Sequence, residues 1–178
     1  VASRGLGDVY KRQEQYRISD DSERSLVISQ TMILAKVFNH RQVIRRYLRD
    51  YKDSLDENSQ TRLDRAQKYL ELGLNRIVQT QNNAELLGRE GEMAGEYFAV
   101  FPHFIRNADF DFHKRTRNPP TDPINALLSF AYTLMTHECR SSLETVGLDP
   151  NSGFFHQLRA GRPSLALDLV EEFRPMLD

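Results

Sequence analysis

A chain of 178 residues, 39% of them hydrophobic and 28% charged, is long enough for one soluble domain with its own core. The formal net charge of -1 argues against indiscriminate binding to nucleic acids. No apolar run approaches the roughly 20 residues that span a bilayer, and the N-terminus lacks the apolar segment of a secretory signal. Cys139 is the only cysteine, which excludes an internal disulfide. We therefore expect a cytoplasmic protein with no membrane partner.

The first residues need separate treatment, because residues 3–13 resemble the translation of a transposon-end adapter used in DNA sequencing libraries. On that interpretation residues 1–13 are adapter-derived and not native, and the natural chain begins near Glu14. A segment of such origin is not part of the native fold, so we expect residues 1–13 to lack stable packing. The alternative is a genuine flexible tail.

Apolar residues recur at helical spacing in five stretches, and no strand-like alternation of useful length occurs, so the sequence predicts an all-α fold of about five main helices. The first helix is capped by Asp20 or Asp21 and ends near Tyr51. Its inward face is predicted to carry Leu26, Ile33, Val37, Ile44 and Leu48. Its other face is predicted to carry Lys36, His40, Arg41, Arg45, Arg46 and Arg49. A second helix, with Leu63 and Leu70 inward, should pack against the first as an antiparallel hairpin because the connection is short.

Three further helices follow along the chain. Asn82 and Asn83 are candidate caps for a third helix over residues 84–100. A loop at residues 110–120, rich in aromatic and basic residues, leads to a fourth helix with Asp122 as its cap. The first half of this helix is apolar nearly all round, so we expect it to be central and buried.

A last helix begins after the sequence Gly161-Arg162-Pro163-Ser164. Its apolar periodicity continues to Asp178, where the chain stops. We therefore expect a truncated reading frame, with the C-terminal end of the domain missing.

Three stretches that are remote in sequence each offer a carboxylate or an imidazole among small or apolar residues. Asp168 and Glu171 are three residues apart, so both carboxylates lie on one face of the last helix. Glu90 stands between two glycines, which weaken a helix and suit the close approach of another backbone or a ligand. His156 follows two phenylalanines in a loop. One histidine with two or three acidic groups is a ligand set that Mg²⁺ or Mn²⁺ accepts.

Each of these features also has an interpretation without function. The two acids of the last helix can form a solvated face. Glu90 can be a surface glutamate in a helix that tolerates glycine, and His156 can be half-buried under aromatic rings. Taken singly, the residues leave these alternatives open.

Four ordered motifs together resemble a known family. The strings LLGREGEMAGEYF at residues 86–98, RNPPTDPINALLSFAYTL at 117–134, GLDPNSGFFH at 147–156 and GRPSLALDLVEEFR at 161–174 closely resemble the CRISPR-associated adaptation integrase, the nuclease that inserts new spacers into CRISPR arrays. The resemblance covers essentially all of residues 14–178 and is strongest to the subtype I-C branch. It implies that residues 20–178 are a helical catalytic domain and that residues 14–19 are the remnant of an N-terminal β-domain and its linker.

The resemblance also implies which residues act. Carried over motif by motif, the metal ligands are Glu90, His156 and Glu171, holding Mg²⁺ or Mn²⁺, and Asp168 is a neighbouring acid that supports activity. Many relatives have Asp at the position of Glu171. The implied reaction is a phosphodiester transesterification, in which a 3′-hydroxyl of spacer DNA attacks a phosphate of the repeat. The implied partners are double-stranded DNA, a small ferredoxin-like adaptation protein and a second copy of the full-length chain.

DNA needs basic residues outside the metal site. Lys114, Arg115 and Arg117 form one candidate surface in the loop before the fourth helix, and Arg41 and Arg45 form another on the first helix. The alternative for the second set is a solvated helix face. Two other functions stay open from the sequence: a catalytically silent helical DNA-binding or assembly module, and an unrelated helical metallohydrolase. Metal binding separates the first of these from an integrase.

Overall fold

The computed structural model describes the backbone of residues 2–178 and the side chains from Gly7 onward. It contains six α-helices in chain order: α1 (Ala2–Asp20), α2 (Ser22–Tyr51), α3 (Glu57–Val78), α4 (Asn83–Val100), α5 (Pro123–Thr145) and α6 (Ser164–Leu177). Short 3₁₀ turns follow α2 at Lys52–Ser54 and α4 at Phe101–Phe104. The predicted all-α fold is confirmed, since residues 2–178 contain no strand. The five predicted helices correspond to α2 to α6.

Side-chain caps begin the helices where the sequence predicts them. The carboxylate of Asp21 accepts hydrogen bonds from the backbone N–H groups of Glu23 and Arg24 at 3.0 and 3.1 Å. Asn82 and Asp122 cap α4 and α5 in the same way. Such caps each contribute about 1 kcal/mol by satisfying N–H groups that the helix leaves free. Helix start points are therefore local properties of this chain.

The core is built around α2, which packs against α3, α4 and α6. Its side chains Ile33, Val37 and Ile44 are at most 1% exposed, and they meet Leu70 of α3 and Tyr97 of α4 in one apolar cluster. Burying an aliphatic side chain of this size stabilises the fold by about 1.5–3 kcal/mol. Because α4 and α6 both pack on α2, side chains from all three helices can meet on one side of it.

The prediction that the fourth helix is central was wrong. In α5, Leu127 and Phe130 are each 62% exposed, and Leu134 is 50% exposed. The helix packs mainly on α6, through a buried face that includes Cys139 and Leu143. A helix that is apolar on every side needs neighbours on every side to be buried. Within residues 2–178, the central position belongs to the amphipathic α2.

The N-terminal segment forms the additional helix α1, over Ala2–Asp20. Residues 14–19, predicted to be the remnant of a β-domain and its linker, lie inside α1 as helix, and their origin stays a prediction. Gln15 is buried and donates to the backbone oxygens of Asp149 and Ser152, both at 2.8 Å. Residues 7–13 are helical too, but none of their side chains is buried. The adapter origin of residues 1–13 stays a prediction, and residue 1 lies outside the described residues.

No helix among the described residues is long and apolar enough to cross a membrane.

Candidate active site

The centre of the site is Asp168, which is fully buried on α6. Its Oδ2 accepts backbone N–H groups of Phe154 at 2.6 Å and Phe155 at 3.0 Å, and its Oδ1 accepts the N–H of His156 at 2.8 Å. Three backbone donors satisfy a buried carboxylate that would otherwise be costly to remove from water. Asp168 therefore fixes the loop that carries His156 onto α6.

Gly153 allows the loop to come this close. A Cβ built on Gly153 would lie 2.8 Å from Asp168 Oδ2 and 2.9 Å from the backbone carbon of Ser164. Real Cβ atoms essentially never approach that closely, so this position requires a residue without a side chain. The backbone oxygen of Pro150 completes the connection by accepting the N–H of Leu165, at the start of α6, at 2.9 Å.

His156 is held in one orientation by the same acid. Its Nδ1 lies 2.7 Å from Asp168 Oδ1, and 18% of its side chain is exposed. We assign the proton to Nδ1, because a carboxylate oxygen accepts it there. The Nε2 atom then carries the free lone pair, and no hydrogen-bond partner for it occurs among the described residues. A carboxylate that orients an imidazole in this manner is typical of histidines that bind metals.

Glu90 and Glu171 meet at one buried ammonium group. Lys36 of α2 is 3% exposed, and its Nζ contacts Oε1 of Glu90 on α4 and lies 2.5 Å from Oε2 of Glu171 on α6. Arg174 adds a second cation 3.0 Å from Glu171 Oε1. Two acids from separate helices are thus drawn to one position, and that position already holds a positive charge.

Cations dominate the electrostatics of Glu171. Burial acts to raise the pKa of this carboxyl, but the charge of Lys36, then the charge of Arg174 and the hydrogen bond from Lys36, outweigh it and lower the pKa to about 2. Glu171 is therefore ionised at neutral pH although it is only 4% exposed. An ionised carboxylate is the form that binds a divalent cation.

The structure brings some of the predicted ligands together and keeps others apart. Glu90 and Glu171 converge on Lys36, and His156 is tied to Asp168, one turn before Glu171 on α6. Among the described residues, however, no group of three or more His, Cys, Asp or Glu side chains is arranged to hold a metal ion. The donors still fit a hard or borderline cation in their chemistry, because two carboxylates already bind a cationic group, and His156, tied to Asp168 on the same helix as Glu171, has a free ring nitrogen.

Sequence reasoning missed Lys36, which it assigned together with His40 to the outward face of the helix. Both are buried, at 3% and 1% exposure. The signal was present in their spacing, because Lys36 and His40 continue the buried stripe between Ile33 and Ile44 at three- and four-residue steps. A charged residue on a buried stripe indicates a partner from another element.

Of the two alternatives predicted for the glycines beside Glu90, another backbone or a ligand, the structure shows no closely approaching backbone among the described residues. A Cβ built on Gly88 or on Gly91 would meet nothing within 4 Å. Gly91 instead faces a groove of about 530 Å³ that begins at Glu90. The same groove is lined by the three basic residues of the predicted DNA-binding loop, Lys114, Arg115 and Arg117.

The three basic residues of this loop differ in how far their side chains are exposed and hydrogen-bonded. Arg115 is half-buried, and its guanidinium donates to Asn125 Oδ1 at 2.7 Å and to Ser129 Oγ at 3.1 Å. It therefore ties the loop to α5. Lys114 and Arg117 have exposed side chains in the same groove.

The second predicted basic set lies elsewhere. Arg41 is 2.7 Å from Glu71 and is mostly buried, while Arg45 is exposed in a separate shallow groove between α2 and α3. Neither of them lines the groove that begins at Glu90.

Comparison with known proteins places the chain in a family. A family model described as "CRISPR associated protein Cas1" matches residues 1–178. The chain is 47% identical over 174 residues to CRISPR-associated endonuclease Cas1 2 of Rhodospirillum rubrum and 42% identical over 170 residues to CRISPR-associated endonuclease Cas1 1 of Chlorobaculum tepidum. These alignments cover 96% and 94% of this chain but 50% and 49% of the relatives, so the chain spans about half their length.

Solved structures show the same relationship. A casposase bound to its integration product superimposes with a TM-score of 0.79 at 28% identity, over 95% of this chain and 47% of that one. A chain of a complex described as Cas6-RT-Cas1–Cas2 also matches with a TM-score of 0.79 at 28% identity, over 92% of this chain and 17% of its own. The resemblance inferred from the four sequence motifs is confirmed, and the chain belongs to the Cas1 family.

Proposed function

We propose that this chain carries the catalytic centre of a metal-dependent DNA endonuclease and integrase that inserts spacer DNA into CRISPR arrays. The observation that carries the proposal is the meeting of Glu90 and Glu171, from two helices, at one buried positive charge. His156, whose Nε2 is free, is tied to Asp168 on the same helix as Glu171. The endonuclease names of the relatives and the casposase bound to its integration product support it.

In this proposal Glu90, His156 and Glu171 are the ligands of a Mg²⁺ or Mn²⁺ ion. When bound, such an ion polarises a phosphoryl oxygen and stabilises the charge that develops on the attacking and leaving oxygens. Asp168 acts as a positioning residue, because its oxygens hold His156 by both the backbone and the ring. The reaction joins a 3′-oxygen of spacer DNA to phosphorus in the repeat and releases a repeat 3′-oxygen, which takes up a proton.

The groove at Glu90 is the proposed path of the DNA backbone. Lys114 and Arg117 supply exposed cations there, and Arg115 shapes the loop from within. Contacts of this type go mainly to phosphates and weaken as salt rises. Arg41 and Arg45 remain candidates for a second, separate contact.

For the whole protein we propose the partners that the relatives suggest. These are double-stranded DNA, a small ferredoxin-like Cas2-type partner and a second copy of the full-length chain, since two neighbouring structures are Cas1–Cas2 complexes. We also propose a cytoplasmic location and assignment to subtype I-C. The competing proposal is a catalytically silent helical module, which the lack of an assembled three-ligand group among the described residues favours.

Metal-dependent cleavage tests the proposal, on the full-length parent protein because this chain spans half the length of its relatives. Glu90→Gln and His156→Ala should each reduce Mn²⁺-dependent cleavage of branched DNA by at least about a hundredfold, because each removes a ligand. Glu92→Gln, an exposed carboxylate two residues along the same helix, is the matched control and should cleave normally. Retained cleavage by both ligand variants would refute the ligand roles of Glu90 and His156, and absence of cleavage by the wild type would leave only the silent module.

A salt titration tests the groove. Lys114→Ala and Arg117→Ala should each weaken DNA binding and reduce the slope of log affinity against log salt by about one, as expected for one lost phosphate contact. Arg45→Ala, in the separate groove, provides the comparison. Equal slopes for the wild type and both loop variants would exclude this surface as the DNA path.

A further inference from the structure

Lys36 takes no part in the function proposed so far, although its charge is buried between two of the proposed ligands. Its side chain is 4% exposed, and its ammonium lies between the carboxylates of Glu90 and Glu171. Removing a lysine from water is costly unless its charge is paired. Here one ammonium pairs with two acids on two different helices, so α2, α4 and α6 are joined at a single atom.

The ammonium and a divalent cation would compete for the same carboxylate oxygens. Both need the negative charge between Glu90 and Glu171, and two cations a few ångströms apart in a buried setting repel each other strongly. We propose that Lys36 is a positioning residue that acts as an internal counter-ion: it holds Glu90 and Glu171 together in the metal-free protein and moves aside when a divalent cation binds. This inference rests on the proposed role of the two acids as metal ligands.

Two consequences separate this role from that of an ordinary buried ion pair. Without Lys36, the carboxylates of Glu90 and Glu171 face each other with Arg174, on Glu171, as the remaining counter-charge, so the metal-free protein loses stability. The same change removes the competitor, so a divalent cation should bind more tightly. A residue that merely stabilised the fold would show the first effect without the second.

Calorimetric titration with Mn²⁺ alone tests the inference on the full-length parent protein, on which cleavage is also measured. Lys36→Gln should lower the dissociation constant for Mn²⁺ by about tenfold or more, because it removes a like charge from the site. It should also lower the melting temperature in EDTA and show a larger Mn²⁺-induced rise than the wild type, as binding to the folded state requires. Lys68→Gln, an exposed lysine on α3, is the matched control and should change neither quantity.

The charge-preserving variant Lys36→Arg keeps the test decisive if Lys36→Gln does not fold. Lys36→Arg should bind Mn²⁺ about as weakly as the wild type, and a tenfold tighter binding would overturn the inference. Suppose that folded Lys36→Gln binds Mn²⁺ no more tightly than the wild type, whereas Glu90→Gln does not bind Mn²⁺ at all. That result would overturn the role of Lys36 and leave the proposed metal site intact. No Mn²⁺ binding by any variant or by the wild type would overturn both.

Discussion

His156 and Glu171 both face the candidate site from α6 or from the loop tied to it, yet they are held by different forces. Four contacts to the Asp168 carboxylate fix the loop and ring of His156, and three of them come from backbone N–H groups. Glu171 is held by charge, through Lys36 and Arg174. Directional hydrogen bonds specify one geometry, whereas ion pairs tolerate the exchange of one cation for another.

This difference suggests that the imidazole and the two carboxylates are positioned in different ways. The imidazole side of the site is assembled with the fold, because the donors to Asp168 belong to the main chain. The carboxylate side is assembled around an ammonium that another cation can replace. In such a site the fold fixes the position of one ligand, His156, before a metal binds. The other two ligands, Glu90 and Glu171, are brought together by electrostatic attraction.

Removal of Asp168 should have the largest effect. Asp168→Ala leaves three backbone N–H groups without their acceptor, one of them buried and two partly buried. Because an unsatisfied buried group costs about 1–3 kcal/mol, we expect a loss of about 3 kcal/mol or more in the free energy of unfolding. Urea unfolding measures it, with Glu138→Ala, an exposed carboxylate on α5, as the control. A loss below about 1 kcal/mol would mean that the loop does not depend on this acid.

Acid should weaken the carboxylate side through Glu171. Its pKa is about 2 in the folded protein against the ordinary 4.5, so its ionisation stabilises the fold above pH 4.5 and that contribution is lost as pH falls towards 2. Two to three pKa units correspond to about 3 kcal/mol. Stability measured in urea between pH 5 and pH 3 should therefore fall more steeply in the wild type than in Glu171→Gln. Parallel curves would show that the pairing with Lys36 and Arg174 does not lower this pKa.

Packing at the loop gives a smaller expected effect. Gly153→Ala places a Cβ against Asp168 and Ser164 and should cost about 1–3 kcal/mol, because the loop must move away from α6. Gly88→Ala is the matched control: its Cβ would meet nothing within 4 Å, and alanine is the better helix former by about 1 kcal/mol. Thermal unfolding should move in opposite directions for the two variants. A stabilising Gly153→Ala would contradict the close packing of the loop on Asp168.

Much of this arrangement could be predicted from local patterns. The caps at Asp21, Asn82 and Asp122 depend on short-range hydrogen bonds, and the shared face of Asp168 and Glu171 depends only on helical spacing. The family motifs add the association of these acids with Glu90 and His156, although the catalytic roles of all four stay a prediction. Local sequence patterns thus predict the helices and the pair of acids that α6 contributes to the site.

The remainder depends on contacts between distant segments. The side chain of Lys36 is buried because carboxylates on α4 and α6 pair with it. The sequence of α2 does not indicate which charges the neighbouring helices present to it. The exposure of Leu127 depends on which elements pack against α5. The apolar composition of the helix does not specify those neighbours. Arg115 likewise turns inward because Asn125 and Ser129 offer acceptors on the next helix.

The smallest effect should come from Arg174, and it distinguishes general charge balance from a specific role for Lys36. Arg174 contacts Glu171 alone among the acids of the site, and its guanidinium also lies 4.7 Å from the Tyr132 ring. Arg174→Gln should therefore destabilise the protein by about 1 kcal/mol while leaving Glu90 and Glu171 joined through Lys36. Its Mn²⁺ affinity should rise by less than that of Lys36→Gln, because Arg174 approaches Glu171 Oε1 whereas Lys36 approaches Oε2 and also contacts Glu90. Equal gains in affinity for the two variants would mean that total positive charge, and not the position of the ammonium, controls the site.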